Sequence, residues 1–220
     1  MSGTFLSVLL FGFLLGIKHA IEPDHVIAVS TIASESKNIK RSTFAGIYWG
    51  IGHTATLFIF GMVMIVAKNT ITDMLAMSLE FLVGVMLVTL GMSSLHKVVP
   101  HKHKHSHSHE TSNGKSRPQL KSFFIGFIHG LAGSAAMVLL TMSTVSTVWE
   151  GALYILIFGF GTVVGMLSFS TIIGLPFVLT SGKQINRKLN NVAGIISILF
   201  GLYYMYNLGV NEGLFSLWFS

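Results

Sequence analysis

The stretch Gly16-Ile-Lys18-His19-Ala-Ile-Glu22-Pro23-Asp24-His25 decides the reading of this 220-residue chain. It closes an apolar run, residues 3–22, that carries no ionisable side chain before Lys18. Ionisable groups inside a lipid-spanning segment are expensive and are kept where they bind an ion or relay a proton. His19, Asp24 and His25 are therefore candidate metal ligands. On an unbroken helix, at ~100° per residue, Asp24 and His25 would point ~140° and ~120° away from His19 on opposite sides, and the three could not converge. Pro23 changes that geometry, because it has no N–H for the carbonyl of His19 and its ring pushes the chain off the helical path. The expected broken turn holds two imidazoles, a carboxylate and a free backbone carbonyl, a donor set that suits nickel, cobalt or zinc. The alternative is an ordinary helix end, with Lys18 and Glu22 paired at i,i+4 and the histidines facing headgroups.

Outward from this stretch the chain is apolar. Hydrophobic residues make up 51% and charged ones 10%, with a mean hydropathy of +0.70, whereas soluble domains carry roughly 25% charged residues. Apolar runs at about residues 3–22, 43–67, 75–95, 121–148, 151–179 and 190–208 each approach or exceed the ~20 residues that cross a bilayer. The expectation is an all-α integral membrane protein with six transmembrane helices. The first run lacks a basic leader and is expected to stay as a helix rather than be cleaved. With no cysteine, disulfides, thiolate metal sites and dithiol redox chemistry are excluded, so a metal site must use nitrogen and oxygen.

The net charge of +6 is distributed as in a membrane protein rather than a nucleic-acid binder. Lys37, Lys40 and Arg41 follow the first run; Lys97, Lys102, Lys104, Lys115, Arg117 and Lys121 follow the third; Lys183, Arg187 and Lys188 follow the fifth. Lys68 stands alone on the other side. By the positive-inside rule these three loops are cytoplasmic and both termini lie outside a plasma membrane.

A shift of 110 superposes Gly16 on Gly126, His19 on His129, Gly84 on Gly194 and Gly91 on Gly201, and a shift of 109 superposes Gly50 on Gly159 and Gly52 on Gly161. The chain thus reads as two three-helix repeats, residues 1–95 and 121–220, joined by a loop at 96–120. Three crossings per repeat make the second copy enter from the opposite face, the inverted pseudo-symmetry of many secondary transporters. Pro23 aligns with Gly133, which predicts a helix breaker in both copies. Asp24 and His25 align with Ser134 and Ala135, so the second copy keeps only His129. His53, in Gly52-His53-Thr54, is a further candidate ligand. Glu80 reads either as an acceptor fixing a histidine tautomer or as a charge in an outer vestibule. The loop carries His101, His103, His105, His107 and His109 at alternate positions, a weak exchangeable metal store interrupted by Lys102 and Lys104.

His19-x4-Asp24-His25 resembles the signature of the nickel/cobalt transporter family and its six-helix UreH-like relatives. Gly52-His53-Thr54, Gly130-Leu-Ala-Gly133-Ser134 and Phe158-Gly-Phe-Gly161-Thr162 resemble further motifs of that branch, so the likeness covers the membrane portion. The resemblance implies metal recognition by His19, Asp24 and His25, which His53 and His129 would complete, with Glu22, Pro23, Thr54, Glu80 and Ser134 beside the pathway. The expected cargo is a nickel or cobalt ion, taken up without a resident cofactor, an enzymatic step or a nucleic-acid partner; a cytoplasmic nickel acceptor is a candidate partner. Efflux, a membrane metalloenzyme and a nickel-donating accessory protein remain the alternatives.

Overall fold

A computed structural model describes residues 3–34, 38–67, 72–96, 118–179 and 183–219, and every regular element among them is helical. The helices are α1 (Gly3–His19), α2 (Pro23–Ser34), α3 (Ile39–Ala67), α4 (Asp73–His96), α5 (Pro118–Thr144), α6 (Val148–Leu179), α7 (Lys183–Tyr206) and α8 (Leu214–Phe219), with a π-helical turn at Asn207–Asn211 before α8. Among the described residues four helices are long and apolar enough to cross a membrane, or up to five if α1 and α2 count as one broken span. Leu6, Leu10, Phe11, Ile59, Val63 and Leu199 are exposed on the outside of the bundle, the apolar belt a lipid-facing surface requires. The protein is an integral membrane protein. The histidine-rich loop, His101, His103, His105, His107 and His109 included, lies outside the described residues.

The break in the first span differs in detail from the sequence expectation. Pro23 does not interrupt a helix but begins one, the first-turn position where its missing N–H costs nothing. Asp24 stands next in the first turn of α2, favourably placed against the helix dipole. The two helices meet at 55°. The His19 carbonyl expected to be free accepts the Glu22 N–H at 3.1 Å, and the Lys18 carbonyl accepts that of Ile21 at 3.1 Å. A tightened last turn, rather than an open one, absorbs the break. Gly133 does not break its helix at all, since α5 runs through it. Glycine keeps the N–H that proline lacks, so the i→i−4 bond survives.

Helix pairing is set by the glycines. α1 packs on α6, α3 on both α5 and α6, and α4 on α7. A Cβ at Gly16 would collide with the Phe158 carbonyl and one at Gly161 with the Phe13 carbonyl. In the same way Gly126 abuts the Trp49 carbonyl, and Gly52 the Phe123 carbonyl. Between α4 and α7 a Cβ at Gly201 would stand 2.7 Å from the Gly84 carbonyl oxygen, and one at Gly194 3.0 Å from that of Gly91. In lipid, where burial of apolar surface drives little association, such backbone approaches supply the van der Waals contact that holds helices together. Hydroxyls reinforce them: Ser197 donates to the Leu87 carbonyl at 2.7 Å, Thr56 to that of Phe127 at 2.7 Å and Ser42 to that of Ser170 at 2.8 Å.

Candidate metal centre

Four histidines from four helices converge inside the bundle. His19 comes from the end of α1, His25 from the first turn of α2, His53 from the middle of α3 and His129 from α5. His25, His53 and His129 are buried at 1%, 0% and 2% exposure. The crossings at Gly52 and Gly126 bring α3 and α5 close enough for His53 and His129 to share one space, with ring centroids 5.8 Å apart. The 55° turn brings α2 back so that the His25 ring lies 4.4 Å from that of His19 and 4.3 Å from that of His129.

Carboxylates fix the ring orientations. Glu22 Oε2 lies 2.8 Å from His19 Nδ1, Asp24 Oδ1 lies 3.0 Å from His25 Nδ1, and Asp24 Oδ2 lies 2.8 Å from His129 Nε2. A carboxylate only accepts, so each of these nitrogens donates its N–H and the opposite nitrogen of a neutral ring keeps its lone pair. His19 Nε2 is thereby left facing His53 Nε2 at 3.1 Å. Two nitrogens on one ion at ~2.1 Å stand ~3.0 Å apart at a right angle and ~3.4 Å apart at the tetrahedral angle. The His19–His53 spacing fits a metal-binding edge. His25 Nε2, His53 Nδ1 and His129 Nδ1 are buried with no hydrogen-bond partner, which is costly for polar atoms unless the site has an ionic use for them.

The ligand atoms of His19, His25 and His53 lie within 4.8 Å of one another, and so do those of Asp24, His25 and His129. All five residues line a cavity of about 280 Å³ that reaches Glu80, Leu140 and Tyr204. Leu140 and Tyr204 are near the last turns of α5 and α7, and Glu80 is near the start of α4, so the cavity extends toward that end of the bundle. On the far side stands Trp49, fully buried. Its indole stacks on His53 at 5.2 Å and 7°, and meets His25 and His129 edge-on at 4.9 and 5.0 Å.

The other sequence candidates fall in different places. Glu80 lines the cavity but accepts from the Tyr204 hydroxyl at 3.2 Å rather than from a histidine. Thr54 donates to the Gly159 carbonyl at 3.2 Å and lines a separate apolar groove between α3 and α6. The side chain of Ser134 lies outside the described residues. Gly133 faces the histidines, where a Cβ would stand 3.7 Å from His19 Nε2. Trp49 and Tyr204 were not among the expected site residues. Trp49 had a signal, since it precedes His53 by four residues and shares its helix face; Tyr204 had none.

The family model described as Cytochrome C biogenesis protein transmembrane region matches residues 7–203. The chain is 59% identical over 220 residues to the urease accessory protein UreH of Bacillus sp. (strain TB-90), covering 97% of this chain and 96% of that protein. It is 26% identical over 210 residues to a protein of Methanocaldococcus jannaschii named for nickel/cobalt efflux, covering 87% and 88%. It is also 26% identical over 201 residues to the chloroplast protein FOR GROWTH AND FERTILITY 2 of Arabidopsis thaliana, covering 87% and 54%. No solved structure matches.

Proposed function

The chain belongs to the UreH-like branch of the nickel/cobalt transporter family and matches the cytochrome c biogenesis transmembrane region family over residues 7–203, and on that premise we propose that it carries nickel, with cobalt as the second ion, across the plasma membrane. The observation that carries this reading is the His19–His53 edge at 3.1 Å, beside a buried and unpartnered His25 Nε2. Imidazole nitrogens suit nickel and cobalt, and carboxylates on the reverse face of two of these rings hold the tautomer and raise ligand basicity. Thiol chemistry of any kind is closed to a chain without cysteine.

The architecture proposed is six helices in two inverted repeats, with α1 and α2 together as the first span and α5 as the fourth. Two pairs of close contacts support it. Gly16 against Phe158 has its counterpart in Gly126 against Trp49, and Gly161 against Phe13 in Gly52 against Phe123. Each residue of one contact lies 109 or 110 positions from its counterpart in the other, as a two-fold axis in the membrane plane requires. With both termini outside, the cavity faces the exterior and Trp49 stands between the histidines and the cytoplasm. That is the loading side for import. An inside-negative potential supplies ~2.3 kcal/mol per charge per 100 mV, about 4.6 for a divalent ion, so uptake needs no ATP. Import is the direction proposed.

Export is the second reading, favoured by the similarity to the protein named for nickel/cobalt efflux. It would run against the potential and need coupling, for instance to protons. Counterflow of radioactive nickel in proteoliposomes, with and without imposed potential and proton gradients, separates the two. Accumulation driven by an inside-negative potential supports import; accumulation that requires a proton gradient of the opposite sense supports export; no saturable flux removes the transport reading.

A further inference from the structure

We propose that the ion has two overlapping stations in this protein, His19–His25–His53 and Asp24–His25–His129, which share His25 and are occupied one at a time. The proposal deepens the transport reading and rests on it. Its first support is distance. Two ligands on a single ion with bonds of ~2.1 Å can be no more than ~4.2 Å apart. Among the described residues the ligand atoms that lie within 4.8 Å of one another form two sets of three, not one set of five, so each set needs only a small inward shift to close on an ion.

The second support is the chemistry of His25. Its Nδ1 faces Asp24 Oδ1 at 3.0 Å, while its Nε2 is buried without a partner. A neutral imidazole has one proton and one lone pair. When the proton is on Nδ1 and donated to Asp24, the lone pair is on Nε2 and completes the three-imidazole station. When an ion sits between Asp24, His25 and His129, the lone pairs must be on His25 Nδ1 and His129 Nε2, and the two protons move to His25 Nε2 and His129 Nδ1, both buried without a partner. One ring cannot serve both stations, so filling one empties the other. No net proton is gained or lost in the exchange.

The third support is the difference in charge between the sets. The first station is all imidazole, with Glu22 behind His19 at 2.8 Å. The second contains the Asp24 carboxylate. His19 and His129, the pair related by the 110-residue shift, fall one in each station. A neutral imidazole station and an anionic one, joined by a pivot, give an ion two places to stop, each weak enough to leave. His25 is then the residue that neither station can lose.

Cobalt titration of the purified full-length protein in detergent tests this, read by the visible absorption of the bound ion. Wild type should bind one cobalt per chain. His53→Ala and His129→Ala should each still bind one, with affinity within about tenfold of wild type and with different spectra, the former showing carboxylate and the latter only nitrogen ligation. His25→Ala should lose binding, and none of the three variants should transport. Should the alanine variants aggregate, His53→Asn and His129→Asn replace them. Two ions on wild type, loss of binding in either outer variant, or a His129 variant with wild-type spectrum and flux would overturn the two stations while leaving the transport reading intact. A wild-type chain that binds no cobalt would overturn both.

Discussion

His19 Nε2 and His53 Nε2 stand 3.1 Å apart although 34 residues separate them in the chain. Glu22 holds the first ring from behind, and Trp49 stacks on the second. The pair is built by two different devices, a carboxylate anchor at a helix break and an aromatic floor in a continuous helix.

Replacing either member should therefore remove function rather than structure. His53→Ala is expected to abolish saturable nickel flux in proteoliposomes, with the protein still monodisperse. Thr54→Ala, one residue on, removes the hydroxyl bond to Gly159 and the methyl packed beside it, and touches none of the five ligand candidates. The lost bond should cost ~0.5–1.5 kcal/mol of stability and leave flux near wild type. Equal loss of flux in both would refute the placement of His53 in the site and Thr54 outside it.

Asp24 accepts from both His25 and His129. Asp24→Asn keeps the shape but replaces an acceptor oxygen by a donor and removes the anion. Flux should fall by about 100-fold or more, comparable to the upper end of losses when partners of metal ligands are changed. Asp24→Glu should recover part of it, since the charge returns on a longer arm. Nickel flux at a series of concentrations would show the change.

The indole Nε1 of Trp49 is buried without a hydrogen-bond partner, so the ring and not the N–H is what this position uses. Trp49→Phe keeps an aromatic ring but leaves part of the indole's space empty, so it should lose less stability than the alanine variant and retain saturable uptake. Trp49→Ala should cost ~3–5 kcal/mol and, where protein survives, let nickel leak without saturation. Thermal unfolding in detergent and vesicle flux together read both effects.

Gly16 and Gly126 meet carbonyls of the facing helix with no space for a side chain. Gly16→Val and Gly126→Val should each cost at least ~1–3 kcal/mol through overpacking. The loss should appear as aggregated protein on size-exclusion chromatography. Gly133 is different, because a Cβ there meets only ordinary contacts at 3.7–3.8 Å. Gly133→Leu should fold, fill the cavity beside His19 and block flux.

Serine in place of His101, His103, His105, His107 and His109 should leave vesicle flux unchanged, because none of these is needed for the five-residue site. Cells at low nickel supply should retain less of it. Loss of vesicle flux would place the loop in the permeation path.

Much of this protein was legible in its residues. A chain with half its residues apolar and a tenth charged must put its helices in lipid, where ionisable groups stand out, so His19, Asp24, His25, His53 and His129, which line one cavity, could be picked out one by one. Proline and glycine could be read as breakers only up to a point. Pro23 starts a helix and Gly133 continues one, because the effect of a weak helix former depends on whether its N–H is present and on the helices packed beside it.

Composition by itself determined the medium, because charged groups are costly in lipid, and it left nitrogen and oxygen as the side-chain donors on offer, because the chain has no cysteine. Only the tertiary structure decided which atoms face one another: Asp24 between two imidazoles, Glu22 behind His19, Glu80 on Tyr204, Thr54 turned toward α6. Helical periodicity fixes the face on which a side chain lies. The neighbour it meets depends on how closely two backbones approach, and here that is set by glycines on helices far apart in the chain.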